Sequence, residues 1–532
     1  MSLARDVTTV GSATLVSRVL GFVRDMGIAA VLGAGVFADA FFAVLQLINV
    51  FRRLLAEGAL NAAFVPLWLR IKGAQGEDAA QSFLQEVLVA MLLAVGALAL
   101  IGFLWAPAVV TVLAPGFDGE RSALAADYLG SATPYVVLAG VVAVIAAALS
   151  AEGRIGAVAL GIVAFNAVFL LALAWVAAFG ATPPAAGATL AHAIVLAGTA
   201  QFLVTGAGFL RMRHRLTPPR LRFSAETRRC FALAAPSLLA AGIPQLKLIA
   251  GAMVASSSPA AVSWLYYANR LYELPLGVAS IAVAAVLMPT IAATVRGAQP
   301  ERIAAAQSRG FELGLGLALP AATAFAVLAQ PIAAGLFERG AFDARDTAAV
   351  AAALTAICAG LPGHVLEKVL GAVSFAHEDA RTPMLAALAG LATALVGALV
   401  LFPHYGHVGV AAAIAISGWV GATLLGAILR RRGWLHLDRD GARRLPRIIL
   451  ATMVMAIALL GTHQLLAPSF HAGASAARLA MLVLLVAIGL AVYLASLEAL
   501  GVVRMRDLLA TVRAARAEPP PTDDPRGGSS EP

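Results

Sequence analysis

Uninterrupted apolar runs of about 20 residues recur along this chain, each long enough to cross a roughly 30 Å hydrocarbon core as a helix. No other feature limits its fold as much. Fourteen such spans can be read, starting near residues 7, 36, 83, 123, 155, 185, 229, 260, 305, 347, 383, 407, 446 and 476. They are continuous Ala/Leu/Val/Gly runs without the alternation of a membrane β-barrel, so helices are the reading. Composition agrees. Of the 532 residues, 61% are hydrophobic and 13% charged, with a mean hydropathy of +0.87, which excludes a water-soluble globule. The expected fold class is an all-α polytopic membrane protein.

A formal charge of +9 would suit a nucleic-acid partner, but the basic residues are placed otherwise. "RMRHRLTPPRLRFSAETRR" (211–229) and "RRRGWLHLDRDGARRLPR" (430–447) carry seven Lys/Arg each, whereas "FGATPPAAG", "SSSPAAV" and "FPHYGH" carry none. With fourteen helices and a cytoplasmic N-terminus, both basic loops fall inside and all three uncharged loops outside, as the positive-inside rule expects. Topology therefore explains the charge, and no nucleic acid is expected. "MSLARDVTTVGSATL" has neither a clean apolar region nor a cleavage site, so the first helix itself is expected to direct insertion. Cys230 and Cys358 form no disulfide or metal pattern, and neither a metal nor a cofactor is expected. The final "AEPPPTDDPRGGSSEP" cannot bury a core and is expected to be disordered.

Internal symmetry is weak in identity but regular in position. A shift of 223 residues lays "AAFVPLW" (62–68) on "AVLMPTI" (285–291), matches Pro66 to Pro289 and sets Arg24 on Lys247. A shift near 225 pairs "PGFDGERSA" with "GAFDARDTA". This predicts two pseudo-symmetric six-helix lobes, 1–215 and 216–432, then two further helices over 433–503 and a tail over 504–532. Repeated halves with polar residues at their interface are the usual build of secondary transporters.

Several charges lie at membrane depth. In the first span, "SRVLGFVRDMGIAAVLG", Arg18 and Asp25 share a face, with Arg24 about 120° round from Arg18. In the second, Asp39, Gln46 and Arg53 form an i, i+7 line, Asn49, Arg53, Glu57 and Asn61 climb at i+4 spacing, and Arg52 lies beside that stripe. In "YYANRLYELPLGV", Arg270 and Glu273 can pair at i, i+3. Each charge costs about 2.5–3.5 kcal/mol at a helix centre, so together they must face a hydrated cavity. Arginine dominates, and guanidinium grips phosphate with two parallel hydrogen bonds, which predicts an anionic, phosphorylated cargo. Asp25 and Asp39 are read as orienting arginines, since a carboxylate beside a phosphate would repel it. The plain alternative is that Arg53 with Glu57 and Arg270 with Glu273 only tie helices together. His192, His364 and His463 are read as satisfied histidines rather than proton relays.

"SRVLGFVRDMGIAAVLGAG…ADAFFAVLQLINVFRRLLAEGALNAAFVPLW" and "YYANRLYELPLGVASIAVAAVLMPTIA" closely resemble the MurJ (MviN) lipid II flippases of the multidrug/oligosaccharidyl-lipid/polysaccharide exporter superfamily, over nearly all of residues 1–500. The resemblance implies fourteen transmembrane helices in two rocking lobes that carry undecaprenyl-diphosphate-linked disaccharide pentapeptide across the bacterial cytoplasmic membrane for peptidoglycan assembly. It implies functional roles for Arg18, Arg24, Arg52 and Arg270, places Glu57 and Glu273 in the same motifs, and makes the last two helices a groove for the lipid tail. Family members proposed to bind sodium have an Asp on the seventh helix, where "QLKLIAGAMVAS" has no acid, so a sodium site is not expected. Lys247 on that helix is instead expected to join the anion site with Arg53 and the other arginines. Lipid II and membrane lipids are the expected partners. Cell-wall synthesis proteins stay open for the basic loops, although topology alone accounts for them. A polytopic glycosyltransferase would want an acid or histidine cluster at one membrane face and a sizeable extramembrane loop, so no enzyme is expected.

Overall fold

The computed structural model describes residues 3–56, 59–212, 223–287, 290–291, 293, 300–472 and 475–503. Among these, every regular element is helical. In chain order the helices are α1 (Leu3–Leu32), α2 (Val36–Ala56), α3 (Ala59–Gln75), α4 (Glu77–Leu104), α5 (Ala106–Leu113), α6 (Gly119–Ala132), α7 (Pro134–Ala151), α8 (Ile155–Phe179) and α9 (Pro183–Leu210). There follow α10 (Ala225–Ala255), α11 (Ala261–Ala282) with a π-helical turn (Val283–Leu287), α12 (Pro300–Val327), α13 (Ala329–Phe337), α14 (Ala344–Cys358), α15 (Leu361–Ala376), α16 (Arg381–Arg431), α17 (Arg439–Ala472) and α18 (Ser475–Ala499).

Among the described residues, nine helical stretches are long and apolar enough to cross a membrane: α4, α7, α8, α9, α12, α14 with α15, α16, α17 and α18. Of the helices that bear the intramembrane charges, α1, α2, α10 and α11 fall outside that group. The expected spans at 383 and 407 are the two arms of α16, which folds back on itself. Gly406 takes φ +54°, and a Cβ on Gly397 would lie 3.0 Å from that of Ala413, while one on Gly409 would lie 2.6 Å from the Leu401 carbonyl oxygen. Those pairs are centred on residue 405, so α16 is a tight hairpin and "FPHYGH" is its turn.

The repeat read from the sequence has a local structural counterpart. Asp118 accepts a hydrogen bond from the Arg121 backbone N–H at the start of α6, and Asp343 accepts one from that of Asp346 at the start of α14. Each cap follows a short helix, α5 or α13. Each capped helix is then interrupted at a proline, Pro134 opening α7 and Pro362 in the first turn of α15. Proline has no N–H to donate and its ring displaces the preceding turn, so the helix restarts there. Pro66 lies inside α3, whereas Pro289 lies outside the described residues, as do most of the first basic loop and the tail from 504.

Small residues set the packing. α8 lies along α9 so closely that a Cβ on Gly161 would meet Thr205 Oγ1 at 2.3 Å, and one on Gly208 would meet the Cβ of Ala157 at 2.5 Å. Such close approach is the usual way for helices to associate where lipid removes the hydrophobic drive. α1 lies along α8 and α10 along α16; α17 packs against α12 and α18.

At the end bearing the basic loops, the segment before α17 is clipped to the bundle. Gln307 donates to the Trp434 carbonyl and accepts from the His436 N–H, and Ser308 Oγ accepts from the Asp438 N–H. Asp379 accepts from the Arg381 and Thr382 N–H groups at 2.9 and 3.1 Å, from Thr382 Oγ1, and pairs with Arg432. The bonds to Thr382, then the Arg432 guanidinium, hold its carboxyl down to about 2, outside the membrane span. Because the folded value is depressed, the stabilisation is full above the ordinary carboxylate range and is lost as pH falls toward 2. Asp379→Ala should lower the melting temperature of the detergent-solubilised chain at pH 7, by an amount matching about 1 kcal/mol for a lost helix-start cap. The gap from wild type should shrink as pH is lowered from 4 to 2.

Candidate functional site

α1 and α11 approach each other through glycines that leave room for arginines. A Cβ on Gly21 would stand 3.4 Å from Arg270 Nη2, and one on Gly277 would stand 3.4 Å from Arg18 Nη1. Between them lies Asp25, fully buried. Its Oδ1 accepts from Arg24 Nε and Nη2 at 3.1 and 2.9 Å, and its Oδ2 pairs with Arg270 Nε. Arg270 Nη1 lies 3.5 Å from Glu273 Oε2, and the Arg53 guanidinium of α2 grips Glu273 with two bonds of 2.9 and 3.0 Å. The result is an alternating chain, Arg24–Asp25–Arg270–Glu273–Arg53, that ties α1 to α11 and α11 to α2.

Amides complete it. Asn166 of α8 accepts from Arg24 Nη1 at 3.4 Å, Gln245 of α10 accepts from Arg53 Nη1 at 3.4 Å, and Asn269 donates to Glu273 at 3.3 Å. Arg24 also lies over the Phe169 ring, 5.5 Å from its centroid. Asp25 is sealed, but the side chains of Arg53, Arg270 and Glu273 keep 24%, 26% and 23% of their surface accessible, and Arg18 is exposed. Arg52 sits one residue before Arg53 and reaches Asn49 Oδ1 at 3.5 Å. Among the described residues, five guanidinium groups, those of Arg18, Arg24, Arg52, Arg53 and Arg270, gather with the carboxylates of Asp25 and Glu273.

The structure sorts the residues singled out from sequence. Arg18, Arg24, Asp25, Arg53, Arg270 and Glu273 are brought together, with Arg52 and Asn49 alongside. Arg270 and Glu273 pair at i, i+3 as expected. Glu57 lies outside the described residues, and Arg53 pairs across the bundle with Glu273. Asp39 does not orient these arginines. Fourteen residues, about 21 Å of helix, separate it from Arg53, and it accepts instead from the Ala260 N–H, the Ser263 N–H and Ser263 Oγ. Lys247 does not join them either: it is buried in a second cluster, 3.9 Å from Glu367 Oε2. Asn166 was missed. It is the single amide in an otherwise apolar 25-residue helix, which is the signal that could have found it.

Asp39 belongs to a clasp at the end opposite the basic loops. Beside it, Arg121 donates to the Ser256 carbonyl at 3.1 Å and lies 3.7 Å from Asp39. The Ala341 N–H donates to the Ala30 carbonyl at 2.8 Å and Tyr267 OH donates to that of Gly33 at 2.9 Å. Gly33 and Gly340 face each other reciprocally, both with positive φ. A Cβ on Gly33 would meet the Ala341 carbonyl oxygen at 2.3 Å, and one on Gly340 would meet that of Ala30 at 2.1 Å. Only glycine permits that contact.

An all-helical membrane bundle whose repeated parts meet across a polar, arginine-rich seam is the build of a membrane transporter. The family model "Lipid II flippase MurJ" matches residues 28–481, and the chain belongs to that family. Relatives include "Probable lipid II flippase MurJ" of Rhizobium meliloti (strain 1021), 37% identical over 94% of each chain. Another is "Lipid II flippase MurJ" of Burkholderia cenocepacia, 31% identical over 86% of this chain and 89% of the relative. The fold matches a structure described as "Lipid II flippase MurJ, inward closed conformation", with TM-score 0.76 at 20% identity over 94% of this chain and 99% of the other. It also matches an inward-facing MATE family multidrug transporter of the MOP superfamily, with TM-score 0.62 at 15% identity over 78% and 94%.

The clasp is testable by a single methyl group. Gly33→Ala should cost about 1–3 kcal/mol through its backbone conformation, with the steric clash added, and should lower the melting temperature by several degrees. Gly119→Ala, where a Cβ meets nothing within 4 Å, is the control and should melt like wild type.

Proposed function

We propose that this chain moves lipid II from the cytoplasmic to the outer face of the bacterial cytoplasmic membrane by alternating access, with the cargo diphosphate held by Arg18, Arg24, Arg52, Arg53 and Arg270. The observation that carries the reading is the convergence of guanidinium groups from α1, α2 and α11 on one seam that stays partly accessible. Membership of the family supports the cargo, and the fold match supports the architecture.

In this reading Glu273 occupies the arginine fork that a diphosphate would take, while Asp25 stays sealed and paired. A guanidinium offers parallel donors to either oxyanion, so cargo can exchange for carboxylate without leaving a buried cation unpaired. The sugar and peptide stay in water between the lobes while the polyprenyl tail remains in lipid, lodged against α17 and α18. Loading neutralises repulsion among the seam arginines and lowers the cost of bringing the lobes together at the cytoplasmic side. Release then requires the Gly33–Gly340 and Asp39 clasp to part on the outer side. Lobes over 1–215 and 216–432, fourteen crossings and cytoplasmic termini are the topology this mechanism needs. Moving one charge through 100 mV supplies about 2.3 kcal/mol, enough to bias the cycle.

Arg24→Ala and Arg270→Ala each remove a charge-assisted contact worth about 1.5–3 kcal/mol. Lipid II exposure on the far side of reconstituted vesicles should fall by at least about tenfold in each, with membrane levels unchanged. Wild-type rates in both variants would sink the arginine assignment.

A further inference from the structure

The loop after α13 carries a cation that neither the seam nor the clasp uses. Within "ERGAFDARD" (338–346) every carboxylate is already engaged by the chain. Glu338 Oε1 accepts from Arg478 Nη1 of α18 at 2.9 Å, and its Oε2 accepts from Thr347 Oγ1 at 2.8 Å. Asp343 and Asp346 cap the start of α14 reciprocally, and Asp346 also accepts from Trp264 Nε1. Arg339, half-buried, has none of them: among the described residues it forms no ion pair. Its Nη2 donates to the Gly335 carbonyl at 2.7 Å, while its Nε is buried without an acceptor. Burial pushes this guanidinium down from its ordinary value, and no carboxylate opposes the effect.

A cation at the last carbonyls of a helix is favourable, so the bond to Gly335 by itself needs no ligand. A lysine would serve that end without burying an unpaired donor, which costs stability. Topology sharpens the point. In the fourteen-span reading this loop lies outside, where "FGATPPAAG", "SSSPAAV" and "FPHYGH" carry no Lys or Arg, and the rule that accounts for the basic loops disfavours arginine here. Arg121, at the same end, is neutralised by Asp118 and Asp39. Arg339 is not neutralised.

Its place in the fold says what could reach it. A Cβ on Gly335 would lie 3.5 Å from Leu482 Cδ2 and 3.9 Å from the Arg478 carbonyl oxygen, so this end of α13 rests on the outer end of α18. The residue after Arg339 is Gly340, held against the Ala30 carbonyl of α1. Arg339 therefore stands on a lip between the clasp and the helix along which, in the reading above, a lipid tail lies. A tail on α18 brings its phosphate to this level.

We propose that Arg339 is a second phosphate site, at the outer lip, for a lipid-borne phosphate: the cargo diphosphate as the clasp parts, or a phospholipid headgroup of the outer leaflet. The first of these rests on the lipid II reading above. Guanidinium offers a phosphate oxygen pair two parallel donors, and the contact gives Nε the acceptor it lacks in the present packing.

The test places the full chain in vesicles with one of three photoprobes and maps the adducts by mass spectrometry. The probes are lipid II with a diazirine in the isoprene unit next to the diphosphate, phosphatidylglycerol with a diazirine near the head of one acyl chain, and diacylglycerol with the same acyl diazirine but no phosphate. In wild type, adducts within 335–345 should be several-fold more abundant from at least one phosphate probe than from diacylglycerol, and the probe that gives them identifies the source. Arg339→Gln, which can still donate to Gly335 but carries no charge, should abolish that excess and leave lipid II adducts in the seam between α1 and α11 at the wild-type level. No excess from either phosphate probe, or an excess that survives Arg339→Gln, would overturn the proposal. Should the glutamine variant fail to fold, the comparison of the three probes on wild type still decides. A wild-type chain that moves no lipid II and takes no lipid II adduct in the seam, yet is marked within 335–345 by phosphatidylglycerol, defeats the lipid II reading and leaves the phosphate site standing.

Discussion

A carboxylate sealed among membrane helices must have its charge answered by the protein, because neither lipid nor bulk water will do it. Asp25 is that carboxylate here, and two arginines from different helices answer it, Arg24 from α1 and Arg270 from α11. Removing either partner would leave a buried charge half-compensated, so α1 and α11 are held in register by necessity rather than by preference. The rest of the seam grows outward from this point. Arg270 is turned toward Glu273, Glu273 becomes the seat for Arg53, and α2 is thereby tied to α11. Accessibility rises along the same path, from Asp25, fully buried, to Glu273, nearly a quarter exposed. A ligand anion entering the seam meets the loosely held end first.

The two ends of the bundle are closed by different physics. At the end opposite the basic loops, the contact is backbone to backbone, Gly33 against Ala341 and Gly340 against Ala30, and it tolerates no added atom. Backbone contacts between glycines carry little side-chain entropy, so they can be broken and remade at low cost. Asp39 and Arg121 add direction to this closure rather than charge to the site: Asp39 receives the free N–H groups at the start of α11, which would otherwise be buried without partners. At the basic end the clips are side chain to backbone, through Gln307, Ser308 and Asp379, and they fix a loop rather than a joint.

Much of this was legible in the sequence, and the boundary of legibility is physical. Apolar runs announce helices because each must satisfy its own backbone in lipid. The arginines of α1, α2 and α11 were legible as a site because their cost in lipid demands a shared wet compartment. Partner identity was not legible. Arg53 bonds Glu273, 220 residues distant, and no spacing within one helix announces that, since pairing across the bundle is set by which helix faces which. Asp39 shares a helical line with Arg53, but a line on one helix says nothing of depth, and about four turns of rise carry it to the opposite closure. Asn166 was hidden by being neutral.

Lys247 shows where symmetry helps and where it misleads. The shift that aligns it with Arg24 is sound at the level of helices: α1 lies along α8 as α10 lies along α16, and the capped starts of α6 and α14 repeat in the same places. Arg24 points at Asn166, and Lys247 at Gly390, a position 224 residues further on. The geometry is repeated, therefore, but the chemistry is not. In the first copy an amide and an adjacent aspartate hold a planar cation at an accessible seam; in the second, a glycine admits a flexible ammonium to a deeper pocket that a glutamate shares. The arginine makes paired hydrogen bonds to its aspartate, whereas the lysine and the glutamate stand 3.9 Å apart, beyond hydrogen-bond range. The repeat supplies two matching positions, and the residue that fills each decides whether it holds a planar cation at an accessible seam or an ammonium in a deeper pocket.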